Sequence, residues 1–301
     1  MIGVMGERYW AKVALEMFQR ANVEAEIVPI AGRAALPRWL LSGAHRRYSS
    51  IHHLNGPCDW RMSLTLGIAG LPVVWHWIGS DVVGYEQRGC KGPGRVFNRR
   101  MAASTRCRHL ADSPKIMQEL ATLGIASQTC RLLPSRIEAA VEPLPDRFTV
   151  LSYWSDQRMH FYGGEIVFQL ADAFPEVPFK IVGAAGKGVT APANVEFLGK
   201  RSDMDRVYRE SSLLIRMPEH DSLSAMVLEM LARGRYVIYN TRLDGCAFAT
   251  TYEAAKQALE ILMKHQVPNR EGAEMVSRDF SIDREAAVLA EMHAVVGGTN
   301  A

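Results

Sequence analysis

The sequence predicts an α/β protein of two domains, each a parallel sheet flanked by helices. Three observations carry this. Short apolar runs alternate with helically periodic segments along most of the chain. The alternation breaks at Glu142-Pro-Leu-Pro-Asp146 and then restarts. The 301 residues also exceed the roughly 100–200 of a typical domain.

Residues 2–5 read as a strand that turns at Gly6. Trp10, Val13, Ala14, Met17 and Phe18 follow at i, i+3, i+4, i+7 and i+8, one buried helix face. Further strands are expected at 25–30, 50–54, 72–75, 108–111 and 129–133, with helices at 60–68 and 114–123. Beyond the proline-rich break come strands at 148–152, 179–182, 195–197, 213–215 and 236–239. Helices are expected at 164–174, 202–208, 225–232 and 253–264, and two more, 270–278 and 282–295, close the chain. The expected domains are therefore 1–143 and 144–280, both Rossmann-like, with the helix in 281–301 crossing back to complete the first. Ligands in such sheets bind outside the carboxyl ends of the strands. Two sheets facing a shared cleft make the residues just after each strand the ones to inspect.

Composition narrows the function classes. Hydrophobic residues at 48% and charged residues at 22% are ordinary for a globular protein, and a net charge of +3 implies no nucleic-acid partner without a local cluster. Cys58, Cys90, Cys107, Cys130 and Cys246 are dispersed, which fits reduced thiols better than disulfides or a zinc site, and no metal is expected. Residues 1–10 carry Glu7 and Arg8 where a signal peptide needs an apolar core. The longest apolar run, 64–75, is interrupted by Gly67, Gly70 and Pro72. A cytoplasmic protein is expected, at most peripheral at the inner face of a membrane.

The segment from Arg216 to Ile238 reads strand, polar loop, helix, strand. Ser222 or Ser224 can cap its helix, whose free N–H groups suit a phosphate or diphosphate. Glu229 lies eight residues after Asp221, so one carboxylate on the loop and one on the helix can hold two hydroxyl-bearing parts of one ligand, such as a sugar and a ribose.

This arrangement resembles the acidic loop–helix motif of GT-B-fold, family-4-like retaining glycosyltransferases (glycosyl transferases group 1), with Asp221 at the first acidic position and Glu229 at the second. Leu228-Glu229-Met-Leu-Ala-Arg-Gly234 is similar to the family's helix and glycine. Phe179-Lys-Ile-Val-Gly183-Ala resembles its donor-facing strand end, Asn194-Val-Glu-Phe-Leu-Gly199 the segment before its base loop, and Pro72-Val-Val-Trp-His76 its N-domain strand ending in histidine. The likeness runs in order over residues 50–280.

The resemblance implies metal-independent transfer of a sugar from a nucleotide-sugar donor to a hydroxyl acceptor, with retention of anomeric configuration. The nucleotide sugar is a co-substrate, and no cofactor is expected. Glu229 would bind the ribose. Asp221 and the backbone of Ser222, Leu223 and Ser224 would bind donor sugar and diphosphate, and His76 would approach the donor sugar. The chain departs from the family where two cations usually bind the diphosphate. Tyr162 stands where a lysine is expected, and Arg158 is one place out of register with the expected arginine. Arg158, Arg216 or Arg201 can supply that charge. The alternative is a degenerate scaffold that binds nucleotide or sugar as a partner subunit without turnover.

Other positions keep two readings. Glu229 can be a solvated helix-face carboxylate, Asp221 a turn or cap residue, and Arg158 and Arg216 structural ion-pair partners. His76 can be a hydrogen-bonded structural residue. Gly6 can allow a backbone approach to ligand or simply turn the chain. Asp81 can cap the segment after it or reach the acceptor. Residues 86–108 hold seven cations against Glu86 alone, with Arg95, Arg99 and Arg100 at their centre. A solvated basic face is one reading of 88–108; an anionic membrane or anionic acceptor is the other. A homo-oligomer is compatible with the small N-domain.

Overall fold

The computed structural model describes residues 1–30, 35–89, 91 and 94–298. Cys90 lies outside the described residues. The chain divides into two compact units, Met1–Ser135 with Ser281–Ala301 and Arg136–Phe280. The stretch 142–146, expected as the linker, lies within the second unit. The buried Arg235 guanidinium holds it there by donating to the carbonyls of Glu142 (3.0 Å) and Pro143 (2.6 Å).

The first unit opens with β1 (Ile2–Met5), buried at every position, and α1 (Arg8–Arg20). The Glu7 carboxylate caps α1 by accepting from the backbone of Tyr9 (3.0 Å) and Trp10 (3.2 Å). Val13, Ala14, Met17 and Phe18 are buried as the spacing predicts, but Trp10 is only half-buried and Ala11 takes the inner position. Then come β2 (Ala25–Ile27), α2 (Ala35–Leu41), β3 (Ser50–Leu54), α3 (Trp60–Ala69), β4 (Val73–Trp77), the single turn α4 (Asp81–Gly84), α5 (Arg95–Ala102), β5 (Cys107–Ala111), α6 (Pro114–Thr122) and β6 (Gln128–Thr129). The sheet order is β2-β1-β3-β4-β5-β6, all parallel.

Two strands are shorter than the apolar runs suggest, because other acceptors or a missing donor break the ladder. β2 stops before Pro29, which has no N–H to donate. β6 stops at Thr129; Cys130 N still donates to the Ala111 carbonyl at 2.9 Å, and the two N–H groups after it turn to side chains, Arg131 N to Glu285 and Leu132 N to Asp112, each at 2.9 Å.

The second unit repeats the pattern with β7 (Val150–Tyr153), α7 (Gly164–Ala173), β8 (Phe179–Val182), β9 (Val195–Gly199), α8 (Met204–Arg209), β10 (Leu213–Arg216), α9 (Ala225–Ala232), β11 (Tyr236–Tyr239), β12 (Ala247–Phe248), α10 (Tyr252–Leu262) and α11 (Arg270–Asp279). Its order is β12-β11-β10-β7-β8-β9, again all parallel. Val150, Phe179, Ile181, Leu213, Ile215 and Ile238 form its core with Val167 and Leu170 of α7 and Leu259 of α10. Burial on both faces explains the near-continuous apolar strands. The chain leaves β7 outward through β8 and β9, then returns to β10 and leaves the other way. The topological switch point therefore lies between β7 and β10.

The last helix, α12 (Ile282–Gly297), belongs to the first unit and is capped by Ser281, whose Oγ accepts from Arg284 N at 3.3 Å.

Candidate functional site

The switch point of the second sheet is marked by the last residues of its two central strands, Tyr153 on β7 and Arg216 on β10. The Arg216 side chain is 10% exposed, and its Nε and Nη2 both donate to Asp221 Oδ2 at 2.9 Å. Tyr239, at the end of β11, donates its hydroxyl to the same oxygen at 3.2 Å, and Ser222 N donates to Oδ1. Burial acts to lower the Arg216 pKa, but Asp221 and the neighbouring Tyr239 and Tyr162 outweigh it and the net shift is upward. Burial and Asp221 raise Tyr239 above its ordinary value, so it stays a hydroxyl donor.

Tyr162, the residue in place of the expected lysine, lies between two arginines. The Arg216 guanidinium carbon is 4.9 Å from its ring centre and that of Arg158 is 5.4 Å away, while Arg158 also covers Phe161 at 3.9 Å. Tyr153 and Phe161 meet the Tyr162 ring edge-on at 5.2 and 5.1 Å. The positive charge absent from position 162 is thus carried by arginines stacked on it. Arg158 is exposed and forms no ion pair with a described residue. It is an exposed cation, whereas Arg216 is paired with Asp221.

The loop after β10 enters α9 through Ser224, which is extended at φ −73°, ψ 121° but makes no side-chain cap. The expected serine cap is therefore not formed by Ser224. Ser222, Leu223 and Ser224 bring their backbone to the carboxyl edge of the sheet, with both serine side chains buried. Gly163 holds φ +72° and would place a Cβ 2.7 Å from the Met217 carbonyl, so the arginine–tyrosine segment is pressed against this loop. Gly183, just past β8, holds φ +98° and would set a Cβ 2.5 Å from the Trp154 carbonyl. That close approach packs strand end against strand end, which accounts for Gly183 without a ligand.

Glu229 differs from the expectation of an open ligand group. It is 1% exposed; its Oε1 accepts from Arg136 Nε at 2.9 Å and its Oε2 from the Tyr208 hydroxyl. Burial raises its pKa, and Arg136 and Tyr208 act against that rise. Arg233 closes the cluster, donating to the Glu229 carbonyl (2.9 Å) and the Arg136 carbonyl (3.0 Å). Asp221 and Glu229 thus stand in separate clusters, and neither is a solvated carboxylate. Arg136 and Tyr208 escaped the sequence reading because 93 and 21 residues separate them from Glu229. Arg201 pairs with Asp203 at the surface instead of joining the arginine cluster.

In the first unit His76, Asp81 and Gly6 each meet partners within the protein. His76 is completely buried, its Nε2 2.8 Å from the Cys130 carbonyl and its Nδ1 3.3 Å from His52 Nε2. The row continues from His52 Nδ1 to His293 Nε2 (3.2 Å) and from His293 Nδ1 to Ser50 Oγ (2.8 Å). A carbonyl only accepts, so His76 carries its proton on Nε2. Each neighbour then donates in turn: His52 Nε2–H, His293 Nε2–H and Ser50 O–H. One proton per ring satisfies the whole row. Burial lowers His76 to about 4 and His293 to about 3, and lowers His52 as well. An imidazole enclosed in this way does not face a donor sugar, and His76 is a core residue.

Asp81 does not reach outward. Its Oδ1 accepts from Ile78 N (3.2 Å) and Gly79 N (2.9 Å) and its Oδ2 from Gly56 N (3.0 Å), tying the turns after β3 and β4 together. Burial pushes it up to about 7 against these three N–H donors. Gly6, at φ +133°, would place a Cβ 2.6 Å from Leu54 Cβ. The close approach is to β3, between whose end and that of β1 the first sheet switches direction. Arg95, Arg99 and Arg100 are exposed on α5, as the basic run predicts.

No protein-family model matches the chain, and no curated protein matches it. Solved structures do. Anabaena HepE in complex with UDP-glucose superposes with a TM-score of 0.72 at 13% identity, covering 98% of this chain and 91% of that one. The fold is GT-B. Sucrose-phosphate synthase from Thermosynechococcus elongatus gives 0.71 at 13% identity over 99% of both chains. WaaG, a glycosyltransferase involved in lipopolysaccharide biosynthesis, gives 0.65 at 11% identity over 99% of this chain and 100% of that one. The two six-stranded parallel sheets of the GT-B chain agree with the α/β architecture expected from the strand–helix alternation.

Proposed function

We propose that this GT-B chain transfers a sugar from a nucleotide-sugar donor to a hydroxyl acceptor, and that the donor diphosphate binds at the carboxyl end of β7 and β10. The observation that carries this reading is the arginine pair on Tyr162, one member buried and fixed by Asp221, the other exposed and without an ion pair to a described residue, beside the entry to α9. HepE was solved with UDP-glucose and with UDP, which supports a uridine donor.

Transfer breaks the bond between the anomeric carbon and the diphosphate oxygen and forms one to the acceptor oxygen, whose proton is given up. The nucleoside diphosphate leaves with the bonding electrons, and cations on it stabilise the oxocarbenium-like transition state. Arg158 and Arg216 supply that charge from the protein, which is the basis for reading the transfer as metal-independent. Asp221 acts as a positioning residue through Arg216. Glu229 contacts a ribose in this reading only where Arg136 yields Oε1. Retention is inferred from the family-4-like loop and helix around Asp221 and Glu229.

The test is thermal unfolding against UDP, GDP, ADP and CMP, with Arg158→Ala alongside. A nucleotide at about 100 times its dissociation constant adds about 2.7 kcal/mol and raises the midpoint by several degrees. A shift with UDP that shrinks in the variant supports the reading. No shift with any nucleotide, or an unchanged shift in Arg158→Ala, overturns the diphosphate assignment. UDP binding without sugar transfer to any hydroxyl acceptor would favour the degenerate scaffold.

A further inference from the structure

We propose that the outer face of α3 and α5 in the first unit docks on an anionic lipid bilayer. The two helices pack side by side through the buried Ser63–Asn98 hydrogen bond (2.8 Å) and the Trp60–Phe97 ring contact (6.0 Å). Asn98 also donates to the Gly89 carbonyl at 3.0 Å. Ser63 and Asn98, polar residues of this helix pair, are thus turned inward.

What faces outward is aliphatic, aromatic and cationic. Ile68 is 63% exposed, Val96 47% and Trp60 37%. Arg95, Arg99 and Arg100 are exposed beside them, and the Arg61 guanidinium lies 4.9 Å from the Trp60 ring centre. Neither helix contains an Asp or Glu, and no described carboxylate pairs with these four arginines. Residues 60–108 carry eight cations against Asp81 and Glu86, a surplus of six. The whole chain has a surplus of three, so the remaining residues carry a net charge of −3 and the positive surplus is concentrated in this stretch.

The mixture decides the partner. A nucleic-acid backbone uses arginines but gains nothing from exposed isoleucine and valine, and the stacking aromatics a single strand would need are sparse here. A bilayer interface uses both. Branched aliphatics enter the acyl boundary, tryptophan sits at headgroup depth, and each arginine near the surface gains about 1 kcal/mol from anionic lipid. The face is independent of the donor assignment, since its residues all lie in the first unit.

The experiment is vesicle co-sedimentation of the full chain, with phosphatidylcholine vesicles containing about 30% phosphatidylglycerol against pure phosphatidylcholine. Wild-type protein is expected to bind the anionic vesicles and to release at about 0.5 M salt. Replacing Arg95, Arg99 and Arg100 together by Gln lowers partitioning about 100-fold. The Ile68→Ser/Val96→Ser pair also lowers it, with the salt dependence unchanged. Circular dichroism and the unfolding midpoint confirm that both variants fold, and the nucleotide-induced shift on the same preparations reads the donor site separately. Equal binding to both vesicle types, wild-type binding by the triple-arginine variant, or tighter binding to duplex DNA with the aliphatic pair without effect would overturn the proposal.

Discussion

The histidine row Ser50–His293–His52–His76 makes a pH prediction whose sign and size follow from the geometry. Each ring is neutral because one proton already satisfies both of its contacts; a second would set two N–H groups head to head in the core. An unfolded histidine titrates near 6.5, whereas folded His76 and His293 titrate near 4 and 3. Between about pH 4 and 6.5 the unfolded chain therefore binds more protons than the fold, and stability falls as pH falls. At pH 5 each of these two histidines costs about 2 kcal/mol relative to pH 8, about 4 kcal/mol together, and His52, also lowered by burial, acts in the same direction. His53, lowered to about 4 by burial, adds in the same direction. Asp81 opposes them, because a carboxyl raised to about 7 makes the fold the better proton binder above pH 4, returning about 3 kcal/mol at pH 5.

The informative perturbation is therefore His76→Gln, which removes one titrating ring and leaves Asp81 in both proteins. Urea unfolding at pH 8 and pH 5, followed by tryptophan fluorescence, is the assay. Trp10, Trp39, Trp60, Trp75 and Trp77 all lie in the first unit, leaving Trp154 in the second. The loss between pH 8 and pH 5 should be smaller in the variant by about 2 kcal/mol. Equal losses in the two proteins would refute the neutral, proton-saturated row.

Two further outcomes are expected. Gly6→Ala puts a side chain at φ +133° and 2.6 Å from Leu54 Cβ, and should destabilise the first unit by about 2–4 kcal/mol in the same fluorescence assay. Arg216→Met leaves Asp221 largely buried without its cation and should cost about 3–5 kcal/mol in urea unfolding; adding Asp221→Asn should recover most of it, and a purely additive double variant would rule out the pairing.

The alternation of apolar strands with amphipathic helices was enough to place most elements. Strands 2–5, 50–54, 179–182 and 236–239 and helix 225–232 fall on the expected residues. Both faces of a parallel strand are buried and helices repeat every 3.6 residues, so these signals are local. The helix Arg95–Ala102 was not expected: it is only eight residues long, and one of its two buried positions is the polar Asn98, so it offers no apolar run to read. The site divides in the same way. Arg158, Arg216, Asp221 and the serine loop could be singled out because they follow strands or open a helix within a short stretch.

Which partner each charge meets was not in the sequence. Glu229 looked like an open ligand group until Arg136, brought back across 93 residues, and Tyr208 closed over it. His76 lies near the end of β4, yet α12 covers it with His293 from far along the chain, as the contact through His52 shows. Local patterning determines where strands, helices and turns form, because hydrogen bonding and burial periodicity act over a few residues. Pairing of charges depends on which distant segments the tertiary fold stacks together, so only the structure could separate the exposed cation at Arg158 from the enclosed carboxylate at Glu229.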